Sequence, residues 1–154
     1  MGTNFTKPIN IDELLLTKRF EPLAETHAQT LNRIEQYDVS GFNEAEVRSN
    51  IIDPIVRILG YDKGTIFSAD LEHRLTFLGK QLKKADYKFA LWNENFWLIE
   101  AKKPQVKKAN FGYKDLSQAI EYSIHPTVNA ALVVLCDGIK LEVFDGSSRW
   151  LRRP

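Results

Sequence analysis

Residues 85–104, ADYKFALWNENFWLIEAKKP, form the stretch that decides the fold. Apolar residues alternate with polar ones on both sides of Asn93-Glu94-Asn95, a pattern that predicts a β-hairpin. The first strand carries Asp86, and the second ends in Glu100-Ala101-Lys102. The hairpin therefore brings an acid on one strand towards an acid and a base on the other, and carboxylates are the ligands that hard divalent cations prefer.

The predicted loop sets the register of this hairpin. If Asn93-Glu94-Asn95 is a three-residue loop, Trp92 opposes Phe96 and even-numbered residues pair with even-numbered ones. Asp86 is then predicted to lie across from Lys102 and diagonal to Glu100. The same register gathers the odd-numbered positions into one apolar face that needs a helix over it, namely Tyr87, Phe89, Leu91, Trp97, Ile99 and Ala101.

Two interpretations of the polar cluster are open. In the first, Asp86 and Glu100 hold Mg²⁺ for phosphodiester hydrolysis, and Lys102 orients or helps to deprotonate the attacking water. In the second, Asp86 and Lys102 form a cross-strand ion pair on a solvent-facing surface. For these three residues alone the ion pair is the more common arrangement, so the rest of the chain has to decide between them.

Length and composition indicate one globular domain. The chain has 154 residues, of which 44% are hydrophobic, and its formal net charge is +1. No apolar run approaches the ~20 residues of a membrane span, and the N-terminus lacks the layout of a signal peptide, so we expect a cytoplasmic protein without membrane contact. Seven of the 21 cationic residues flank the hairpin and are candidates for phosphate contacts or for a solvated edge: Lys80, Lys83, Lys84, Lys102, Lys103, Lys107 and Lys108.

The order of predicted elements is helix, helix, strand, strand, helix, strand, strand. Residues 1–20 are weakly patterned and are expected to form an accessory helix or arm. The second helix begins at Asn43 with Glu46 in the capping-box position, kinks or restarts at Pro54, and ends at Gly60. The other predicted elements are a helix over 23–37, a short strand over 74–78, a helix over 113–124, and strands over 130–135 and 140–144.

The chain resembles the PD-(D/E)xK nuclease superfamily, and more closely the N-terminal nuclease domain of the motor (R) subunits of type I restriction enzymes. The resemblance spans roughly residues 43–145. It rests on a series of short motifs in a fixed order: EVRSNIIDPIVRILGY with Glu46, ADYKFAL with Asp86, IEAKKP with Glu100 and Lys102, QAIEY with Gln118 and Tyr122, and LVVLCDGIKLEVFD.

The resemblance implies an α/β fold of the restriction-endonuclease type, with a central mixed sheet of four or five strands flanked by helices. Residues 1–154 would form one such domain, with 1–40 as an N-terminal helical extension. The implied activity is a Mg²⁺-dependent DNA endonuclease in which Mn²⁺ substitutes for Mg²⁺. The implied partners are DNA and other subunits of a restriction-modification complex.

The resemblance also assigns residues. Asp86 and Glu100 would bind the metal, Lys102 would be the catalytic lysine, and Glu46 would be a further acid near the metal. Gln118 and Tyr122, four residues apart on one helix face, would hold DNA or the catalytic acids. Three further lysines would contact DNA or support the site: Lys103, Lys107 and Lys108.

Two departures from the family pattern bear on function. Ala85 stands where the superfamily name has proline, and the chain has no G-x-x-x-x-G-K-[ST] phosphate loop, so ATP-driven translocation is not predicted. The alternative function is a catalytically silent module of the same fold that binds nucleic acid or docks a partner subunit. Binding of Mg²⁺ or Mn²⁺ through Asp86 and Glu100 distinguishes the two.

Overall fold

A computed structural model describes residues 22–62, 67–77, 80–91 and 94–146. Four α-helices and five strands make up this part of the chain. The helices are α1 (Glu25–Glu35), α2 (Glu44–Val47), α3 (Asp53–Ile58) and α4 (Tyr113–Ser123), with a π-helical segment (Arg48–Ile52) joining α2 to α3. The strands are β1 (Phe67–Phe77), β2 (Lys80–Leu91), β3 (Glu94–Ala101), β4 (Leu132–Cys136) and β5 (Leu141–Asp145).

The five strands form one mixed sheet in the order β1-β2-β3-β4-β5. Only β3 and β4 are parallel, and the three other pairs are antiparallel. A parallel pair needs a crossover connection, and α4 supplies it. The predicted α/β class and mixed sheet are confirmed, and the architecture is consistent with the restriction-endonuclease-like fold.

Helices cover the sheet on both faces and create two apolar clusters. One cluster joins α4, through residues such as Ala119 and Ile120, to Leu98 and Val133 of the sheet. The other joins Val47, Ile52 and Val56 of the α2–α3 region to the odd-numbered face of the hairpin, namely Tyr87, Phe89, Ile99 and Ala101, with Trp97 packed against it. The predicted apolar face and its covering helix are thus confirmed, while the Leu91 side chain lies outside the described residues.

The helix before the sheet begins and ends as predicted. Asn43 and Glu46 form a capping box, in which Glu46 N donates to Asn43 Oδ1 at 3.0 Å and Asn43 N donates to Glu46 Oε2 at 2.7 Å. Pro54 lies in the first turn of α3, directly after the π-helical segment. Proline has no N–H to donate to residue i−4, so the helix widens ahead of it. Gly60, with φ of 80°, follows the end of α3.

The predicted hairpin register is wrong by three residues next to the loop and by two residues beyond the bulge between Phe89 and Ala90. The structure pairs Tyr87 with Ile99 and Phe89 with Trp97, so a residue on β2 opposes a partner two positions earlier than expected. Asn93-Glu94-Asn95 is not the loop, because Glu94 and Asn95 already pair with β2, and a bulge follows Phe89. At Tyr87 and Phe89 the shift is even, so these side chains keep their predicted face.

Other boundaries differ less. The helices predicted over 23–37 and 113–124 and the two final strands are present within one to two residues, whereas β1 is much longer than the predicted strand over 74–78. The accessory segment predicted for residues 1–20 lies outside the described residues. Among the helices described, none is long and apolar enough to cross a membrane.

Candidate active site

Two of the predicted site residues, Asp86 and Glu100, meet where β2 and β3 separate. Pairing between these strands is formed as far as Tyr87 and Ile99, while β3 continues alongside β4 to the pair of Ala101 with Cys136. On the N-terminal side of Tyr87 in β2, and after Ile99 in β3, the two strands diverge. We call the gap between them the fork. Asp86 lies on the β2 side of this fork and Glu100 on the β3 side. Their side-chain carboxyl groups accept the hydrogen bonds that backbone carbonyl groups accept in a regular pair of strands.

Each carboxylate is held by the backbone of the opposite strand. Asp86 N donates to Glu100 Oε1 at 3.2 Å, and Ala101 N donates to Asp86 Oδ2 at 2.9 Å. These bonds satisfy two backbone donors that the fork would otherwise leave without partners. They also fix the orientation of both carboxyl groups before any ligand arrives, which is a requirement for an efficient site.

Glu100 is not a surface residue. It is 3% exposed, and burial raises the pKa of its carboxyl group to about 8, with the negative charge of Asp86 adding to the rise and the Lys102 ammonium opposing it. Burial also raises the pKa of Asp86, against the hydrogen bond from Ala101 and the charge of Arg48. A buried and a half-buried acid with raised pKa values in one fork are typical of a functional site.

Lys102 is buried beside Glu100 and is held by α4. Its Nζ lies 3.7 Å from Glu100 Oε2 and donates to Gln118 Oε1 at 3.3 Å, while the side chain is 8% exposed. Gln118 Nε2 in turn donates to the hydroxyl of Tyr122 at 2.7 Å. The sequence predicted that Gln118 and Tyr122 share a helix face near the site, and the structure places them in a chain of contacts that ends at the lysine.

Glu46 has a different environment. Its carboxylate caps α2 through Asn43, and the residue is exposed. The acid of α2 whose charge reaches the fork is Glu44, which contributes to the raised pKa of both Asp86 and Glu100. A role of Glu46 at a metal therefore stays a prediction.

The lysine-rich connection after β3 is tied to the turn between β4 and β5. Asp137, fully buried, accepts hydrogen bonds from Gln105 N at 3.0 Å and from Lys140 Nζ at 2.9 Å. Lys140 Nζ also donates to the carbonyl oxygen of Lys108 at 3.1 Å. These bonds hold the segment that carries Lys103, Lys107 and Lys108, all of them exposed, and DNA contact by these lysines stays a prediction.

The sequence analysis missed Arg48, which reaches the fork from the π-helical segment. Its Nη1 donates to Asp86 Oδ1 at 3.2 Å and to Glu72 Oε1 at 3.3 Å. Glu44 and Arg48 are four residues apart, so helical spacing alone places them on one face. What spacing cannot predict is the wide π turn that sets the direction of the arginine side chain.

The fork suits a divalent cation that takes few protein ligands. Within the described ranges no group of three or more His, Cys, Asp or Glu residues forms a cage for a metal ion. Mg²⁺ usually binds one or two carboxylates and completes its shell with water and substrate oxygens. Asp86 and Glu100 fit that donor set, and a bound cation would offset the burial that raises the pKa of both carboxyl groups.

Comparison with known proteins gives a partial match. The chain is 30% identical over 96 residues to the type II restriction enzyme and methyltransferase RM.Eco57I of Escherichia coli, an alignment that covers 57% of this chain and 9% of that protein. The chain thus spans about a tenth of the length of the curated relative that it matches. No family model matches the chain, and no solved structure matches it at a significant level.

Proposed function

We propose that this chain is a Mg²⁺-dependent DNA endonuclease domain of a restriction system. The observation that carries the proposal is the buried fork, in which Asp86 and Glu100 are each oriented by the opposite strand and Lys102 lies beside them. The similarity to a restriction enzyme and methyltransferase adds independent support. The resemblance to type I R-subunit nuclease domains assigns the same three residues.

Burial argues against the simpler ion-pair interpretation. A cross-strand pair on a solvent-facing surface would leave its charges exposed, yet Glu100 and Lys102 are 3% and 7% exposed. Moving a charged group out of water costs roughly several kcal/mol per ion, even after the protein relaxes around the charge. A fold gains little from such a pair unless the charges serve a function.

Each residue of the fork would have a separate role in hydrolysis. Asp86 and Glu100 would hold Mg²⁺, which when bound supplies positive charge that stabilises the developing phosphorane oxygens and acidifies water. Lys102 Nζ would donate to the attacking water or to a phosphate oxygen. Gln118, anchored by Tyr122, keeps the ammonium directed at Glu100 and away from solvent.

One observation favours the alternative of a catalytically silent module. Lys102 already offsets part of the charge on Glu100, and the described residues hold only two carboxylates within the fork itself. A silent module would then bind DNA or a partner subunit without a metal. Metal binding by the purified chain separates the two functions, because cleavage alone can fail when DNA delivery is missing.

The test combines both measurements. We expect wild-type protein to bind Mn²⁺ in calorimetry and to nick supercoiled plasmid in Mg²⁺, and we expect Asp86→Asn to abolish both without loss of the folded state. Asp70→Asn, an exposed acid on β1, is the matched control. Mn²⁺ binding that is equal in wild type and Asp86→Asn would refute the metal site, and cleavage retained by Asp86→Asn would refute the nuclease assignment.

A further inference from the structure

Arg48 contacts the carboxylate of Asp86, one of the two residues that would hold the metal. Asp86 Oδ2 accepts a hydrogen bond from Ala101 N at 2.9 Å, and Oδ1 accepts one from Arg48 Nη1 at 3.2 Å. The arginine side chain is 28% exposed and that of Asp86 21%, so water screens the contact only partly. The guanidinium is therefore the counter-ion of this carboxylate.

Glu72 gives the same guanidinium a second partner. Glu72 Oε1 accepts from Arg48 Nη1 at 3.3 Å, and Lys84 Nζ holds Oε2 of the same carboxylate at 3.2 Å. The backbone of Glu72 has φ of 52°, and β1 pairs with β2 on both sides of it through Leu71 and His73. A left-handed glutamate interrupts the ladder opposite Asp86 and places its carboxylate beside the fork.

A pocket next to Arg48 has room for the side chain to move. Its volume is about 310 Å³, and its lining includes the acids Asp53 and Glu72 together with Arg48 and Asp86. Asp53 Oδ1 accepts a hydrogen bond from Tyr87 at 2.7 Å, which fixes that acid in the wall. An acidic pocket is a favourable second position for a guanidinium that has left Asp86.

A divalent ion held by Asp86 would compete with this guanidinium for the same carboxylate. Like charges a few ångströms apart in a partly buried site repel strongly. Either the ion displaces the guanidinium, or its affinity is lowered by the contact that it has to break. Glu72 and the acidic pocket favour displacement, because they keep a partner for Arg48 after Asp86 is lost.

We propose that Arg48 is a metal-displaced counter-ion: it holds Asp86 in the metal-free site, and divalent-cation binding moves it from Asp86 Oδ1 onto Glu72 and the adjoining acidic pocket. The proposal rests on the proposed function, since it assumes a metal at Asp86 and Glu100. It assigns Arg48 as a positioning residue. The coupling has a definite sign. Removal of Arg48 should strengthen metal binding, and it should lower the stability of the protein in the absence of metal.

The experiment is a Mn²⁺ titration of the full chain in calorimetry without DNA, at a pH where the carboxylates ionise. For Arg48→Gln we expect a dissociation constant about tenfold lower than wild type, the size of one hydrogen bond between charged groups. The melting temperature in EDTA should fall at the same time. Arg57→Gln removes an exposed arginine from the last turn of α3 and should change neither measurement.

A second variant tests the direction of the coupling. Glu72→Gln takes away the alternative partner, so the guanidinium stays on Asp86 and the Mn²⁺ dissociation constant should rise about threefold, a coupling at the low end of the usual range. This variant alters an exposed side chain and serves also if Arg48→Gln fails to fold.

The outcomes separate the two proposals. Unchanged or weaker Mn²⁺ binding in folded Arg48→Gln, or tighter binding in Glu72→Gln, overturns the role of Arg48 while wild-type binding through Asp86 leaves the proposed function intact. Mn²⁺ binding by wild type that Asp86→Asn does not reduce overturns the proposed function, and this inference with it. Opposite shifts in the two variants support the displacement.

Discussion

Glu100→Gln makes the electrostatics of the fork measurable without any assumption about catalysis. The substitution keeps the shape of the side chain, and the amide oxygen can still accept the hydrogen bond from Asp86 N that Glu100 Oε1 accepts at 3.2 Å. It removes the carboxyl group whose pKa burial raises to about 8. The difference in pH dependence of unfolding between wild type and variant, in metal-free buffer, then reports the contribution of Glu100.

The sign and the size follow from the raised pKa. Glu100 titrates near 4.5 in an unfolded chain and at about 8 in the folded protein. Between these values the folded state holds a proton that the unfolded state has released, so stability is greatest below about pH 4.5 and falls as the pH rises towards 8. The whole interval corresponds to about 5 kcal/mol, and we expect a loss of about 2–5 kcal/mol.

Other shifted acids do not obscure this window. Asp137, Asp38 and Glu72 have lowered pKa values, so the stability that they contribute is lost only below the ordinary pKa of a carboxyl group. Asp86 has a raised pKa and acts in the same direction as Glu100. The predicted downward slope above pH 5 therefore belongs to the fork.

The assay is urea unfolding followed by fluorescence at pH 5, 6, 7 and 8 in EDTA. Wild type should lose stability along this series, and Glu100→Gln should lose much less. Slopes are compared, because the amide nitrogen of the variant would stand near Lys102 Nζ and alter the absolute stability. Glu94→Gln, an exposed residue on the same strand, should retain the wild-type slope.

Mg²⁺ provides the second half of the test. At pH 8 a concentration of 100 times the dissociation constant should restore about 2.7 kcal/mol to wild type, and little to Glu100→Gln. Equal slopes for wild type and Glu100→Gln in EDTA would refute the raised pKa. A wild-type slope that is present but does not respond to Mg²⁺ would leave the buried acid in place and refute its role as a metal ligand.

Three further predictions address the lysine, its support and the DNA surface. Lys102→Met keeps the aliphatic stem but removes the ammonium, and plasmid cleavage should fall at least about 100-fold while the circular dichroism spectrum is unchanged; Lys114→Met, exposed on α4, is the control. Tyr122→Phe removes the hydroxyl that accepts from Gln118 at 2.7 Å, and should cost about 1 kcal/mol in urea unfolding and reduce cleavage less than Lys102→Met does. The third prediction replaces three exposed lysines together by glutamine, namely Lys103, Lys107 and Lys108. The slope of log K against log[salt] for DNA binding, measured by fluorescence anisotropy in Ca²⁺, should then decrease in magnitude by up to about 2.7.

Each of these predictions has a contrary result. Cleavage that survives in Lys102→Met would show that Lys102 is structural. Unfolding free energy and cleavage both unchanged in Tyr122→Phe would mean that Gln118 needs no anchor. An unchanged salt slope after the triple substitution would exclude the loop lysines from the DNA surface.

Elements and faces were predictable because they depend on local signals. The capping box at Asn43 and Glu46, the break at Pro54 and the glycine end at Gly60 are each specified by residues next to one another, and the structure has all three. The apolar face of the hairpin was predictable because strand alternation survives any even shift of register. These signals sufficed to place Asp86, Glu100 and Lys102 in one region of the sheet.

The parts that failed depend on non-local packing. Leu91 pairs with Glu94, three residues from its predicted partner, and the bulge after Phe89 reduces this difference to two at Tyr87 and Phe89; no local signal in the loop sequence predicts either change. Arg48 contacts Asp86 from a π-helical segment that precedes Pro54, and Glu72 lies beside it with a left-handed backbone conformation within β1. Neither event has a periodic pattern, so sequence spacing alone could not find the cations and acids around Asp86.

The corrected register changes the chemistry expected of the lysine. In the predicted register Lys102 lies across from Asp86, and that register left both a metal site and a cross-strand ion pair open. In the structure Asp86 and Glu100 bond to each other's strands, Arg48 contacts Asp86, and Lys102 lies 3.7 Å from Glu100 with Gln118 as its other partner. The two carboxylates thus have separate counter-ions, Arg48 from the π-helical segment and Lys102 from the position that follows β3. A cation that displaces Arg48 would leave Lys102 in place beside Glu100, which is the arrangement that a lysine acting on a bound water or phosphate requires.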